Sequence, residues 1–290
     1  MRQADANSHP AVALKSSTPR GLLARRPRPS RFPGLALNAD EVHLWQAALD
    51  DRPADIFESF LSPDELTRAH RFHFIKDRNH FVVARGLLRN LLAAYHGVNS
   101  SELRFSYGAK GKPFLLLDTR TQINFNVSHS AGRAAFVFSR GRELGIDLEY
   151  VKDDFDDELI ANRFFSRAEV LALRTVPAEL RKQAFFNCWT RKEAYIKARG
   201  EGLSMPLDQF DVSLSPLEPV ALLKNYREER EVSRWSMQAV PAPQGYVGAL
   251  VVEGHDWKLK SFGLEKSVGL KQSANVPTEI CSRPAQVSFR

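Results

Sequence analysis

The chain has 290 residues, of which 43% are hydrophobic and 10% aromatic, which is material for a sizeable buried core in one large domain or two ordinary ones. Seven basic residues and one acid lie in residues 1–38, so this segment carries +6 of the net charge of +7, and the near-neutral remainder argues against a basic groove for nucleic acid. Only two cysteines occur, far apart, and no apolar run approaches the roughly 18–20 residues of a membrane span, so we predict a cytoplasmic protein without a membrane segment.

Residues 1–38 are rich in Pro, Arg and Ser and show no hydrophobic periodicity. This composition is typical of disorder, and we predict a disordered basic tail. The charge leaves one alternative function open, that of a protein that binds polyanions through this tail. Deletion of residues 1–38 distinguishes that function from one located in the body of the chain.

Residues 39–145 form the first predicted unit, with a strand, a long helix and several short strands. The stretch EVHLWQAAL alternates as a strand does, and Ser62-Pro63-Asp64-Glu65 is typical of a capped helix start. From residue 76 to 96 the apolar residues keep helical spacing, and Gly97 is a natural helix end. Short strands are predicted at LRFSY, INFNV and RAAFVFS.

Residues 146–260 form a second unit with the same kinds of element. The stretch ELGIDLEY predicts a strand, SRAE predicts another capped helix, and helical spacing runs from about residue 179 to 199, before Gly200. Late strands are predicted at FDVSL, RWSMQAV and YVGALVV, and residues 261–290 are predicted to be a loose C-terminal tail. The predicted fold class is therefore α+β, with two α/β halves that meet near residue 145.

Two carboxylates lie on one side of the strand ELGIDLEY. Asp147 and Glu149 are two residues apart, so their side chains point the same way, with Cα atoms roughly 6.5–7 Å apart. Such carboxylates can converge on one hard cation, which prefers oxygen ligands. The alternative is an ordinary pair of acids on a solvated strand face.

Two further clusters have both a functional and a plain structural interpretation. Glu193 and Lys197 share a helix face, either as a surface ion pair worth about 0.3–0.5 kcal/mol or as a third carboxylate and an ammonium group for a phosphate. Ser128 and His129, at the end of a predicted strand, either bind phosphate oxygens or cap a turn. Lys112, in the loop GAKGKP, could also reach an anion.

The order of these motifs along the chain is similar to that of one protein family. GKP, FNVSHS, GIDLE, RFFS and WTRKEAYIKARGEGL follow one another as they do in the 4′-phosphopantetheinyl transferases of the surfactin-synthetase type, and the resemblance spans roughly residues 40–255. The GIDLE and WTRKEA motifs at this separation, together with SHS, are specific. The resemblance implies two similar α/β halves with an active site in the cleft between them.

The resemblance also implies roles for individual residues. Asp147, Glu149 and Glu193 would bind Mg²⁺, and Lys197 would approach the pyrophosphate of coenzyme A. Other residues would contact coenzyme A phosphates: Ser128, His129, Lys112 at the adenosine 3′-phosphate end, Arg68 and His80. His80 stands where the family often has Arg, and a neutral imidazole binds phosphate more weakly than a guanidinium.

The implied activity is transfer of the phosphopantetheine arm from coenzyme A to a serine of an apo-acyl or apo-peptidyl carrier protein, with release of adenosine 3′,5′-bisphosphate. Glu193 is the candidate general base, directly or through a bound water, and Lys197 would take charge from the leaving group. A non-catalytic relative that binds coenzyme A is the alternative, and the complete set of acidic positions argues against it. The internal duplication favours a monomer, and we expect no nucleic-acid or membrane partner.

The segment VKDDFDDELIANRFF is where the resemblance implies that the carrier protein docks. Five acids lie between Asp153 and Glu158, and acids near a helix N-terminus are favoured by the helix dipole. Because carrier proteins are usually acidic, we expect contact through apolar residues such as Phe155 and Phe164. We assign Glu169 to its capping box rather than to catalysis.

Overall fold

The computed structural model describes residues 35–116, 122–152, 157–264 and 270–271. In these ranges the strands are β1 (Glu41–Ala48), β2 (Phe105–Tyr107), β3 (Pro113–Leu115), β4 (Ile123–Ser130), β5 (Arg133–Arg140), β6 (Leu144–Tyr150), β7 (Phe210–Val212), β8 (Leu222–Asn225), β9 (Trp235–Ala239), β10 (Tyr246–Glu253), β11 (Lys258–Leu264) and β12 (Leu270–Lys271). The α-helices are α1 (Ala54–Glu58), α2 (Pro63–Ala69), α3 (Ile75–His96), α4 (Asp157–Phe164), α5 (Arg167–Thr175), α6 (Ala178–Arg199) and α7 (Glu231–Arg234).

The first half is a sheet with strand order β12-β11-β1-β5-β4, covered on one face by the 22-residue helix α3. Trp45 of β1 and Phe136 of β5 are opposite each other in the antiparallel register, and both are fully buried beneath α3. The helix ends at Gly97, whose φ of 66° is left-handed and strongly favours glycine. The predicted helix and its end are thereby confirmed.

The second half is a sheet with strand order β6-β10-β9, covered by the 22-residue helix α6. Phe185 of α6 and Val251 of β10 are fully buried in its core. Within this half Lys192 is also fully buried, where its ammonium pairs with Glu169 at 2.8 Å and donates to two backbone carbonyls. A buried ammonium without such acceptors would be strongly destabilising, so this pair explains how a lysine is tolerated there.

The two sheets pack against each other through a third core. It joins Val42 and Val137 of the first sheet to Ile146 and Leu250 of the second, and all four are fully buried. The order of layers is therefore α3, first sheet, second sheet, α6. The α+β fold with two similar halves, each carrying one long helix on a sheet, is confirmed. None of the helices in the described ranges is long and apolar enough to cross a membrane.

The fold extends past the predicted boundaries near both chain ends. At the N-terminal side, Leu37 is buried and the amide of Leu35 donates to the carbonyl of Ala94, so residues 35–38 belong to the fold and not to a tail. At the C-terminal side, residues 261–264 form the end of β11, which pairs in parallel with β1 of the first half. Residue 260 is therefore not the end of the folded chain. The strand that pairs with β11 lies more than 200 residues earlier in the sequence. The rest of the predicted tails lies outside the described residues, apart from β12.

Candidate active site

The two halves are joined by a ladder of hydrogen bonds between β4 side chains and the β6 backbone. Every second residue of β4 is polar, from Asn124 to Ser130, while the intervening Phe125 points into the first core. Three amides of β6 donate to these side chains: Ile146 N to Asn126 Oδ1 (3.0 Å), Leu148 N to Ser128 Oγ (3.2 Å) and Tyr150 N to Ser130 Oγ (3.2 Å). The side chains thus take the place that backbone carbonyls have in an ordinary sheet.

Asp147 lies at this junction and is only 2% exposed. Its Oδ1 accepts hydrogen bonds from Ser128 Oγ at 2.9 Å and from Lys197 Nζ at 2.6 Å. Within the described part of the chain, no group donates a hydrogen bond to its buried Oδ2. A buried carboxylate oxygen without a donor is costly, so this atom requires either a cation or another donor.

Glu149 and Glu193 are the two carboxylates near Asp147. Glu149 accepts a hydrogen bond from Ser130 Oγ at 2.7 Å. Burial, and then the negative charge of Asp147, raise the pKa of both glutamates. Three carboxylates from β6 and α6 therefore repel one another across the junction, and a bound cation would relieve that repulsion.

In the described ranges, no group of three or more His, Cys, Asp or Glu side chains lies close enough to hold a metal ion. Lys197 supplies the local positive charge instead, because its ammonium contacts Asp147 and also lies 3.3 Å from Ile146 O. The predicted Mg²⁺ ligands thus face a common region without forming a closed coordination shell.

Gly145 allows α6 to approach β6 closely enough to place its side chains at this junction. A Cβ atom at this position would lie 2.2 Å from Ala194 O and 2.3 Å from Ala198 N, far inside van der Waals contact. Both contacts are with helix backbone, which cannot move aside as a side chain can. The absent side chain of Gly145 therefore sets the distance between β6 and the face of α6 that carries Glu193 and Lys197.

Three of the residues predicted to bind phosphate lie together on the first half. Desolvation, followed by the charge of Lys197 and then that of His80, lowers the pKa of His129, although part of its ring faces solvent. The His80 ring is bonded to Asp50 Oδ1 at 2.7 Å, and the exposed Arg68 lies with its guanidinium carbon 5.2 Å from the centre of the Phe81 ring. A cavity of about 660 Å³ beside α2 is lined by Arg68 and Arg71.

Lys112 and Ser128 are engaged in contacts within the protein. Lys112 Nζ donates to Glu143 Oε2 at 2.8 Å and to Ala198 O at 3.0 Å, so it ties the β2–β3 hairpin to the C-terminal end of α6. Ser128 is buried and bonded to Asp147, as described above. Their predicted contacts with coenzyme A stay predictions, and a phosphate at either position would compete with these bonds.

The predicted carrier-docking segment is only partly described. Phe155 and the acids up to Asp156 lie outside the described residues. Phe164 is half-buried and packs edge-on against Trp189, with ring centres 5.8 Å apart. The exposed apolar residues of this region are instead Leu159 and Leu171, which are 66% and 54% exposed.

Sequence reasoning missed the structural contribution of Asn126, Ser130 and Gly145. The alternation N-x-N-x-S-x-S in β4 is visible in the sequence, but only the three-dimensional structure shows that it faces β6. The assignment of Glu169 to a capping box is confirmed, because its carboxylate accepts from Ser166 N at 2.9 Å and Ser166 Oγ accepts from its amide.

Comparison with known proteins matches both halves of the chain to transferases that act in phosphopantetheine transfer. Residues 143–251 match the profile of the 4′-phosphopantetheinyl transferase superfamily, and residues 45–140 match that of the 4′-phosphopantetheinyl transferase N-terminal region. An ACPS–CoA complex from Chronobacterium ammoniagenes superposes with a TM-score of 0.30 and 19% identity, over 40% of this chain and 98% of that one.

Two curated relatives share the name of the superfamily. The 4′-phosphopantetheinyl transferase HetI of Nostoc sp. (strain PCC 7120) is 38% identical over 232 residues, which are 79% of this chain and 94% of the relative. The 4′-phosphopantetheinyl transferase Sfp of Bacillus subtilis is 34% identical over 158 residues, 54% of this chain and 68% of the relative. The chain belongs to the 4′-phosphopantetheinyl transferase superfamily and is an enzyme of this class.

Proposed function

We propose that the chain transfers the 4′-phosphopantetheine arm of coenzyme A to a serine of an apo-acyl or apo-peptidyl carrier protein, with Mg²⁺ held by Asp147, Glu149 and Glu193. The observation that carries the metal assignment is Asp147 Oδ2, a buried carboxylate oxygen to which no described group donates a hydrogen bond. Carboxylate oxygens are the ligands that Mg²⁺ prefers. The charge of Asp147 raises the pKa of both glutamates, so the three side chains are near enough to interact and their chemistry suits the ion.

In this proposal the metal and Lys197 share the work of stabilising negative charge. Bound Mg²⁺ would neutralise charge on the pyrophosphate of coenzyme A. Lys197 is bonded to Asp147 across the junction, so its ammonium is held beside the carboxylates, where it can take a further part of the charge on the leaving group. The enzyme contributes position and electrostatics more than covalent chemistry.

The proposed reaction is a displacement at phosphorus. The serine oxygen forms a bond to the phosphorus next to the pantetheine, and the bond from that phosphorus to the bridging oxygen breaks. Adenosine 3′,5′-bisphosphate leaves, and the serine proton passes to Glu193, directly or through a bound water.

We place the phosphates of coenzyme A on the first half, beside His129, His80 and Arg68. His80 Nε2 is bonded to Asp50 Oδ1 at 2.7 Å, so this ring nitrogen is already engaged with a carboxylate, and a phosphate there would compete with that bond. We further propose that a carrier protein contacts the exposed leucines of α4 and α5, Leu159 and Leu171. A monomeric state and a cytoplasmic location stay predictions.

The proposal is tested by intact-mass spectrometry of apo-carrier proteins incubated with the full chain, coenzyme A and Mg²⁺. We expect one acyl or peptidyl carrier to gain the mass of one phosphopantetheine arm, and Asp147→Asn to abolish the gain. Asp211→Asn is the matched control, because Asp211 is also a buried aspartate but is bonded to Tyr226 outside this site. Coenzyme A binding without a mass gain on any carrier would favour the non-catalytic relative.

A further inference from the structure

We propose that Ser130 is a positioning residue that orients Glu149 toward the metal. This inference rests on the proposed function, since it assigns Ser130 to the support of the proposed metal site. Ser130 lies at the end of β4, and its hydroxyl contacts two consecutive residues of β6, Glu149 and Tyr150.

The direction of the Ser130 hydroxyl follows from its two neighbours. The amide of Tyr150, at 3.2 Å, can only donate, so it occupies a lone pair of Ser130 Oγ. The hydroxyl proton is then left for Glu149 Oε2, at 2.7 Å. One side chain therefore holds both the backbone of β6 and the carboxylate that β6 carries.

The same arrangement occurs two residues earlier along both strands. Ser128 Oγ accepts from the amide of Leu148 at 3.2 Å and donates to Asp147 Oδ1 at 2.9 Å. Two hydroxyls spaced two residues apart thus match two carboxylates spaced two residues apart. A shift of β6 by one residue would break all four bonds and turn the carboxylates to the other side of the strand.

Ser130 is a better test position than Ser128. Ser128 is buried and contacts Lys197 as well as Asp147, so its removal changes several groups together. Ser130 is half-buried, so water can replace its bond to the Tyr150 amide in a variant. Loss of the hydroxyl then acts mainly on the orientation of Glu149. Removal of a side chain that is hydrogen-bonded to a metal ligand typically costs 10–100-fold in metal affinity.

The experiment is calorimetric titration of the full-length chain with Mn²⁺ as the probe for the metal site. We expect Ser130→Ala to weaken Mn²⁺ binding about tenfold and Ser130→Thr, which retains the hydroxyl, to restore most of it. Ser139→Ala is the matched control, because Ser139 is a serine of the same sheet whose hydroxyl donates to Arg142 O and contacts neither carboxylate. Coenzyme A affinity without metal should be unchanged in all three variants.

Each outcome separates the inference from the function on which it rests. Equal Mn²⁺ affinity in the original chain and Ser130→Ala, with both binding, would overturn the role of Ser130 alone. A chain that transfers phosphopantetheine but binds no Mn²⁺ would overturn the metal assignment and this inference with it. Weaker binding in Ser130→Ala that Ser130→Thr fails to restore would show that the hydroxyl is not the group responsible.

Discussion

At the scale of single residues, the position of Lys197 departs from the simplest sequence expectation. Its spacing from Glu193 suits an ion pair along the helix, yet its ammonium pairs with Asp147 of β6 at 2.6 Å. Asp147 is nearly inaccessible to solvent, so its charge is less screened than that of an exposed acid and attracts the ammonium more strongly. Lys197 therefore links α6 to β6 electrostatically in addition to any contact with substrate.

Replacement of this ammonium should impair catalysis, and it should also destabilise the fold because the buried Asp147 loses its ionic partner. We expect Lys197→Met to lower kcat by about 100-fold, as for the loss of one preorganised donor to a developing charge. Lys224→Met, at an exposed lysine of β8 beside Tyr226, should leave kcat unchanged. Steady-state kinetics of both variants, with thermal melting to verify folding, check this expectation. A Lys197→Met enzyme with an unaltered kcat would contradict it.

A buried histidine makes the stability of the chain depend on pH. Burial lowers the pKa of His43 below 6.5, although the nearby Glu41 opposes the shift. The unfolded chain then takes up a proton near pH 6.5 that the folded chain resists, so the stabilisation is present above that pH and is lost as the pH falls through the folded pKa. The free energy of unfolding should decrease on acidification by at most about 1.4 kcal/mol per pH unit for this group.

The contribution of His43 is measured by comparison with a variant that does not titrate. Chemical denaturation of His43→Gln between pH 7 and pH 5, a range set by the ordinary pKa of about 6.5, should give a shallower pH dependence than that of the original chain. Identical slopes for the two proteins would exclude His43 as the group concerned.

At the scale of elements, the site depends on how closely β6 and α6 approach. The alternation in ELGIDLEY predicts that Asp147 and Glu149 share a side, and the strand β6 confirms the element. The sequence does not reveal that Gly145 lies against the backbone of α6, because that contact joins residues about 50 positions apart. The sequence also does not reveal that the polar side of β4 faces β6. The polar alternation of β4 is equally typical of a solvent-exposed strand face.

Addition of one methyl group at Gly145 should separate these elements. We expect Gly145→Ala to lower the free energy of unfolding by about 3 kcal/mol, at the upper end of typical overpacking, and to reduce kcat because Glu193 and Lys197 move away from β6. Gly108→Ala is the control, since a Cβ there would lie at an ordinary 3.6 Å from Lys112 O. Urea denaturation measures both, and equal stability of the two variants would contradict the close-approach argument.

At the scale of the whole molecule, local sequence patterns predicted the helices and strands within each half better than the contacts between segments distant in sequence. Capping residues and helical spacing located α3 and α6 to within a residue or two, because those signals are local. The strand β11 was not predicted, because the apolar and polar residues of its sequence KLKSFGL alternate only weakly. This segment becomes a strand through parallel pairing with β1. Phe262 then stacks on Trp45 with ring centres 4.4 Å apart, a contact that no local pattern encodes.

Because residues 35–38 belong to the fold, a test of the basic tail should delete only residues 1–34. Deletion of residues 1–34, which the composition predicts to be a disordered tail, should leave kcat/KM within about twofold. Deletion of residues 1–38 should destabilise the chain, because it removes the buried Leu37. Binding to heparin, measured for the original chain and the 1–34 deletion, tests the polyanion hypothesis. Loss of transfer activity in the 1–34 deletion would place part of the function in the tail.

The measurement that tests the central claim most directly is a crystal structure of the chain with coenzyme A and Mn²⁺, with the metal located by anomalous scattering. We expect one Mn²⁺ at the junction of β6 and α6, bound by oxygens of Asp147, Glu149 and Glu193, with coenzyme A phosphate oxygens completing its coordination. An anomalous peak bound by other side chains, with these three carboxylates free of metal, would overturn the proposed site.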